Sequence, residues 1–123
     1  MAASRVSRIE HEGVSILYQD FRGLQGVDDA RAAFEESRRA VQSALPQSVL
    51  ILTDFTGSRF NVQMVEAAKH LAAQNKPFVK ASALVGLSGL QTVLFTGVNQ
   101  QAEREIQWFT DQESARTWLV SQG

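Results

Sequence analysis

One stretch constrains the fold more than any other: Val49 to Phe60, Val-Leu-Ile-Leu-Thr-Asp-Phe-Thr-Gly-Ser-Arg-Phe. Six residues of continuous apolar and β-prone character end in small polar residues, and an amphipathic helical pattern follows. A short run with no polar alternation reads as a strand covered on both faces, the kind found in parallel sheets. The same succession recurs from Phe78 to Gly86, with a second helical pattern after it. Two consecutive strand–turn–helix units imply an α/β protein with right-handed crossovers.

The rest of the chain extends this pattern. Arg5–His11 and Val14–Phe21 are β-prone and are separated by Glu12-Gly13, a two-residue hairpin signal. Gly23 and Gly26 interrupt, and Asp28 and Asp29 sit where a helix N-terminus favours acids. A helix is expected from Asp29 to about Leu45, stopped by Pro46. After the Val49–Phe55 strand, Asn61 is the expected N-cap of a helix with Val65, Ala68, Leu71 and Ala72 inward. Leu90, Val93, Leu94, Gly97 and Val98 follow i, i+3, i+4, i+7, i+8 spacing and predict another helix. Ile106–Phe109 is a short last strand. Thr110-Asp-Gln-Glu113 is a capping-box pattern that opens a final helix carrying Ala115, Trp118 and Leu119. The expected order is ββαβαβαβα, a mixed five-stranded sheet in a single domain over residues 1–123.

Composition limits the function classes. The formal charge of −1 gives no overall field for nucleic acid, and the absence of cysteine removes disulfides, thiolate metal sites and a cysteine nucleophile. No run approaches the roughly 20 apolar residues of a membrane span, and the N-terminus lacks a signal-peptide pattern. A cytoplasmic protein without a nucleic-acid partner is expected. His11 and His70 have no metal-ligand spacing, no G-x-S-x-G elbow or phosphate-binding loop is present, and no cofactor is implied.

In open α/β sheets ligands collect outside the carboxyl ends of the strands. Thr56, Ser58, Arg59 and Ser88 fall there, where two helix N-termini could offer N–H groups to a small anion; the simpler reading of the same residues is as turn and cap residues that reverse the chain. Asp54 and Lys80 lie on successive strands and are expected to form a structural ion pair, with Asp54 as a general base the sharper alternative. Leu87 and Phe95 are the expected partner contacts. Phe95 stands about 100° beyond Leu94 in helical projection, outside the inward stripe.

Thr53-Asp54-Phe55-Thr56-Gly57-Ser58-Arg59-Phe60, with Lys76-Pro77-Phe78-Val79-Lys80-Ala81-Ser82-Ala83 and Gly86-Leu87-Ser88-Gly89-Leu90, resembles the STAS-type domains of anti-sigma factor antagonists, in the SpoIIAA-like branch. The first run is similar to the Leu-Asp-Leu-Ser-Gly-Val-x-Phe run of those domains. The resemblance covers nearly the whole chain in element order. It implies a non-catalytic regulatory module that binds a partner protein or a second copy of itself, as in a bacterial homodimer. Regulatory STAS proteins carry a phosphorylatable serine at the start of the next helix. The matching stretch here is Val62-Gln63-Met64-Val65, which has no hydroxyl. Thr56 and Ser58, just upstream, are the remaining candidates for such a switch. A fold-level likeness to CRAL-TRIO lipid carriers makes a small-molecule or lipid carrier using the strand-end cleft the alternative. An enzyme using Asp54, Lys80 or Ser82 is the third.

Overall fold

The computed structural model describes residues 4–87 and 106–123. Five strands, β1 (Val6–His11), β2 (Val14–Asp20), β3 (Val49–Asp54), β4 (Val79–Val85) and β5 (Ile106–Phe109), form one sheet in the order β1-β2-β3-β4-β5. β1 and β2 are antiparallel, and β2, β3, β4 and β5 run parallel. The helices are α1 (Val27–Gln42), α2 (Val62–Asn75) and α3 (Gln112–Gln122). The mixed sheet inferred from the sequence is therefore present. The helix expected over Leu90–Val98 lies outside the described residues.

Local chemistry explains the elements. Glu12 and Gly13 have φ of 50° and 80°, the left-handed pair that matches a two-residue hairpin to the twist of its strands. α1 starts at Val27 rather than Asp29, capped by the extended backbone of Gly26, which leaves Asp28 and Asp29 in the first turn where the helix dipole favours them. The Asn61 side chain accepts from Met64 N at 2.9 Å, the expected N-cap. At α3 the cap falls one residue later than the capping box predicts. Asp111 accepts from Ser114 N at 2.8 Å, and this hydrogen bond is the main reason its carboxyl is held below the usual range.

The alternation of β3 separates two cores. Leu50 and Leu52 pack with Ile16, Ala83, Ala115 and Leu119 beneath α3. Val49 and Ile51 face the other way, toward Leu17 and Val41 of the α1 layer. That layer continues into Phe21, Phe34, Phe55, Met64 and Ala68. The Phe21 ring lies 5.5 Å from Phe34 and 5.7 Å from Phe55, joining the exits of β2 and β3 to α1. α1 and α2 thus cover one face and α3 the other.

Lys80 is the irregular residue of the sheet. Val49 pairs with Val79, but Leu50 pairs with Ala81, so Lys80 is the extra residue of a bulge and is exposed. The expected Asp54–Lys80 ion pair does not form. Asp54 pairs in register with Val85, which puts Lys80 roughly 16 Å away along the ladder at five residues of strand rise. Strict alternation, from which the pair was expected, fails at the bulge.

Candidate functional site

The carboxyl ends of β3 and β4 are closed on themselves. The Asp54 carboxylate is buried and accepts from Thr56 N at 2.9 Å and Thr56 Oγ1 at 2.6 Å. Its other oxygen accepts from Gln112 Nε2 at 2.8 Å, and the same Gln112 nitrogen lies 3.2 Å from Tyr18 OH. Both oxygens of Asp54 are thus engaged in fastening the strand end to its own turn and to α3, a structural use of the carboxylate. Gly86, at φ 87°, presses against the Thr56 backbone. A Cβ there would sit 2.5 Å from Thr56 N and 2.8 Å from Thr56 Cα, so the two connectors touch and no cleft opens between them at this point.

In the described part of the anion site expected at Thr56, Ser58, Arg59 and Ser88, the backbone N–H groups are spent within the protein. The N–H of Thr56 goes to Asp54, that of Ser58 to Phe55 O at 2.9 Å, and that of Arg59 to Leu24 O at 2.8 Å. Ser58 is buried. Its hydroxyl donates to Phe21 O and accepts from Leu24 N at 2.9 Å, stapling the β3–α2 loop to the β2–α1 loop. Thr56 is exposed, with its hydroxyl turned to Asp54. The turn reading is the one these contacts favour. Leu87 is half-buried against the α1–α2 core rather than presented to solvent. Ser88 and Phe95 lie outside the described residues. His70 is exposed and His11 is half-buried at the hairpin, 3.7 Å from Glu12. Among the described residues no group of three or more His, Asp or Glu could hold a metal ion.

Two features of the α1–α2 face stand apart from this closed edge. The first is a groove of about 700 Å³ between the exposed sides of α1 and α2, lined by Arg31, Glu35 and Arg38 from one helix and Val62, Glu66, Ala67 and His70 from the other. Val62, on the first turn of α2, is 76% exposed. Glu35 is paired with Arg38, whose guanidinium holds the carboxyl below its usual range. The second is an interior chamber of about 60 Å³ between the sheet and these helices. Its apolar walls include Phe21, Phe34, Phe55 and Leu71, and its polar groups are Gln19, Ser37, Thr53, Asn75 and Ser82, all buried. Sequence reasoning passed over all but Ser82. The signal was present: Ser37 falls between Phe34 and Val41 on the apolar stripe of α1, and Asn75 follows Ala68 and Ala72 on that of α2. A polar residue at a stripe position marks a buried hydrogen-bonding group.

The architecture belongs to a known class. Among solved structures, the chain is similar to an uncharacterized protein from the DUF3478 family with a SpoIIAA-like fold, from Shewanella loihica PV-4. The TM-score is 0.72 at 17% identity, covering 93% of this chain and 91% of that one. The chain has the SpoIIAA-like fold. At this identity the likeness speaks for the fold alone. No family model matches the chain, and no curated protein does. Among the described residues no helix is long and apolar enough to cross a membrane.

Proposed function

We propose that this protein is a non-catalytic regulatory module of the cytoplasm that docks a partner protein on its α1–α2 face. The observation that carries the reading is Val62, a large apolar side chain left 76% exposed on the first turn of α2, at the edge of the open groove. That turn corresponds to the switch segment of the regulatory domains the sequence resembles, and here Gln63 and Met64 stand where they carry serines, with Val62 exposed just before them. An apolar centre inside a polar, charged rim is the usual make-up of a docking patch. The rim supplies both signs of charge, through Arg31 and Arg38 on one helix and Glu66 on the other.

A constitutive contact follows from the chemistry. With no hydroxyl between Val62 and Val65, the helix start cannot be switched by phosphate. The enzyme alternative draws little support, because Asp54 is engaged on both oxygens and Lys80 lies at the far end of the ladder. The test is capture from source cells with wild-type protein and Val62→Asp. A protein recovered by the wild type and lost from the variant, with an unchanged melting temperature, is the expected result. Recovery of the same proteins by both would contradict it.

A further inference from the structure

The interior chamber holds a directed chain of hydrogen bonds with an open end. Asn75 Nδ2 donates to Ser37 Oγ at 3.4 Å, the Ser37 hydroxyl donates to Gln19 Oε1, and Gln19 Nε2 donates to Thr53 Oγ1 at 2.8 Å. All three donors point the same way, from Asn75 toward Thr53. The start of the chain is left with an unused acceptor. Asn75 Oδ1 has no partner, and Ser82 Oγ on the same chamber wall has none either. Both residues are deeply buried, 2% and 3% exposed. Buried polar atoms without partners are rare in folded interiors, and here two of them face one cavity.

The chamber's chemistry restricts its occupant. Among the described residues no charged side chain lines it, and an ion held by these groups alone would lose its hydration without compensation. About 60 Å³ is room for a group of a few heavy atoms, since one water takes about 30 Å³ in the liquid. Asn75 Oδ1 requires a donor, and the Ser82 hydroxyl can donate in turn. An alcohol hydroxyl carries both functions, a proton for Asn75 Oδ1 and a lone pair for the Ser82 hydroxyl. The chamber also borders the outer groove. Phe34 and Leu71 line both the chamber and the outer groove, so they form the wall between the two. We infer that the chamber is a binding site for the hydroxyl end of a small neutral alcohol, whose carbon chain leaves between Phe34 and Leu71 toward the α1–α2 groove. This site does not depend on partner docking.

The experiment uses the full chain labelled with ¹⁵N and follows the side-chain amide signals of Asn75 and Gln19. The probes are 1-propanol, 1-hexanol and hexanoate. Saturable shifts of both amides with an alcohol, and none with hexanoate, are expected. Saturation by propanol and hexanol alike marks a free small alcohol as the natural class, and tighter binding of hexanol marks the end of a longer chain. Ser82→Ala removes one hydrogen bond of the bound hydroxyl and is expected to weaken binding about tenfold. That variant loses no protein–protein hydrogen bond, so its melting temperature should not fall. Shifts that never saturate, equal binding of hexanoate, or an unchanged affinity in Ser82→Ala would each overturn the inference.

Discussion

The Asp54 carboxylate, at the end of β3, accepts a 2.8 Å hydrogen bond from Gln112, the first residue of α3 and 58 positions later in the chain. The contact joins the central strand to the helix that covers the opposite sheet face from α1 and α2. It also defines what Asp54 is for. With Thr56 held on one oxygen and Gln112 on the other, the residue that looks most like a catalytic acid is a fastening between two elements. Asp54→Ala is therefore expected to cost about 2–3 kcal/mol of stability, because the Thr56 amide loses its acceptor and Gln112 Nε2 keeps only Tyr18. Urea unfolding measures this. An unchanged midpoint would contradict the structural role.

Gly86 should tolerate no side chain. Its φ of 87° is strained for any L residue, and a Cβ would overlap the Thr56 backbone. Gly86→Ala is expected to destabilise by at least about 2 kcal/mol, since strain and overlap add. Removing the Thr56 side chain in the same protein should not restore stability, because the overlap at 2.5 and 2.8 Å is with Thr56 N and Cα. Thermal melts of the single and double variants decide the point.

Glu36 of α1 ties down the start of β1, accepting from the Ser4 hydroxyl, from Arg5 N at 3.0 Å and from Val6 N at 3.3 Å. Burial alone would raise its pKa, but these three hydrogen bonds together with the charge of Arg39 outweigh burial and hold the carboxyl below its ordinary 4.5. A depressed carboxylate stabilises the fold above its unfolded pKa and loses that contribution as pH falls through the folded value. The Arg5 and Val6 amides should stay protected from exchange at neutral pH and lose protection only below about pH 4.5. In Glu36→Gln the profile should be flat. Amide exchange measured from pH 7 to pH 3 checks the direction.

Ser58 should not be phosphorylated in the folded protein. Its hydroxyl is buried between Phe21 O and Leu24 N, with no room for a dianion. Ser58→Ala is expected to cost about 1–2 kcal/mol by leaving the Leu24 amide without its acceptor. A phosphate on Thr56 would sit beside the Asp54 carboxylate, an unfavourable pairing of like charges. Intact-mass spectra of protein from source cells should show neither modification.

Much of this fold was legible in the sequence because its signals are local. The hydrophobic run of β3, the Glu12-Gly13 hairpin and the Asn61 cap each depend on a few adjacent residues, and each appears as read. The site was less legible because it depends on register. A bulge at Lys80 shifts the β3–β4 pairing by one residue, and nothing near Lys80 in the sequence announces it. The Thr56–Ser58 loop looks like an anion cradle until the long-range partners Phe21, Leu24 and Gly86 take its hydrogen-bonding groups and its space. The chamber polar groups come from five different elements, and only their positions on inward stripes hinted that they meet.

The central claim, docking on the α1–α2 face, is tested most directly by placing a photo-crosslinking side chain at Val62 and, in a second protein, at Leu45. Both are large apolar residues with similar exposure, 76% and 77%, but Leu45 follows the end of α1 and does not line the groove. Irradiation in source cells is expected to give a discrete protein adduct from position 62 and none from position 45. No adduct at 62, or the same adducts from both positions, would contradict the account.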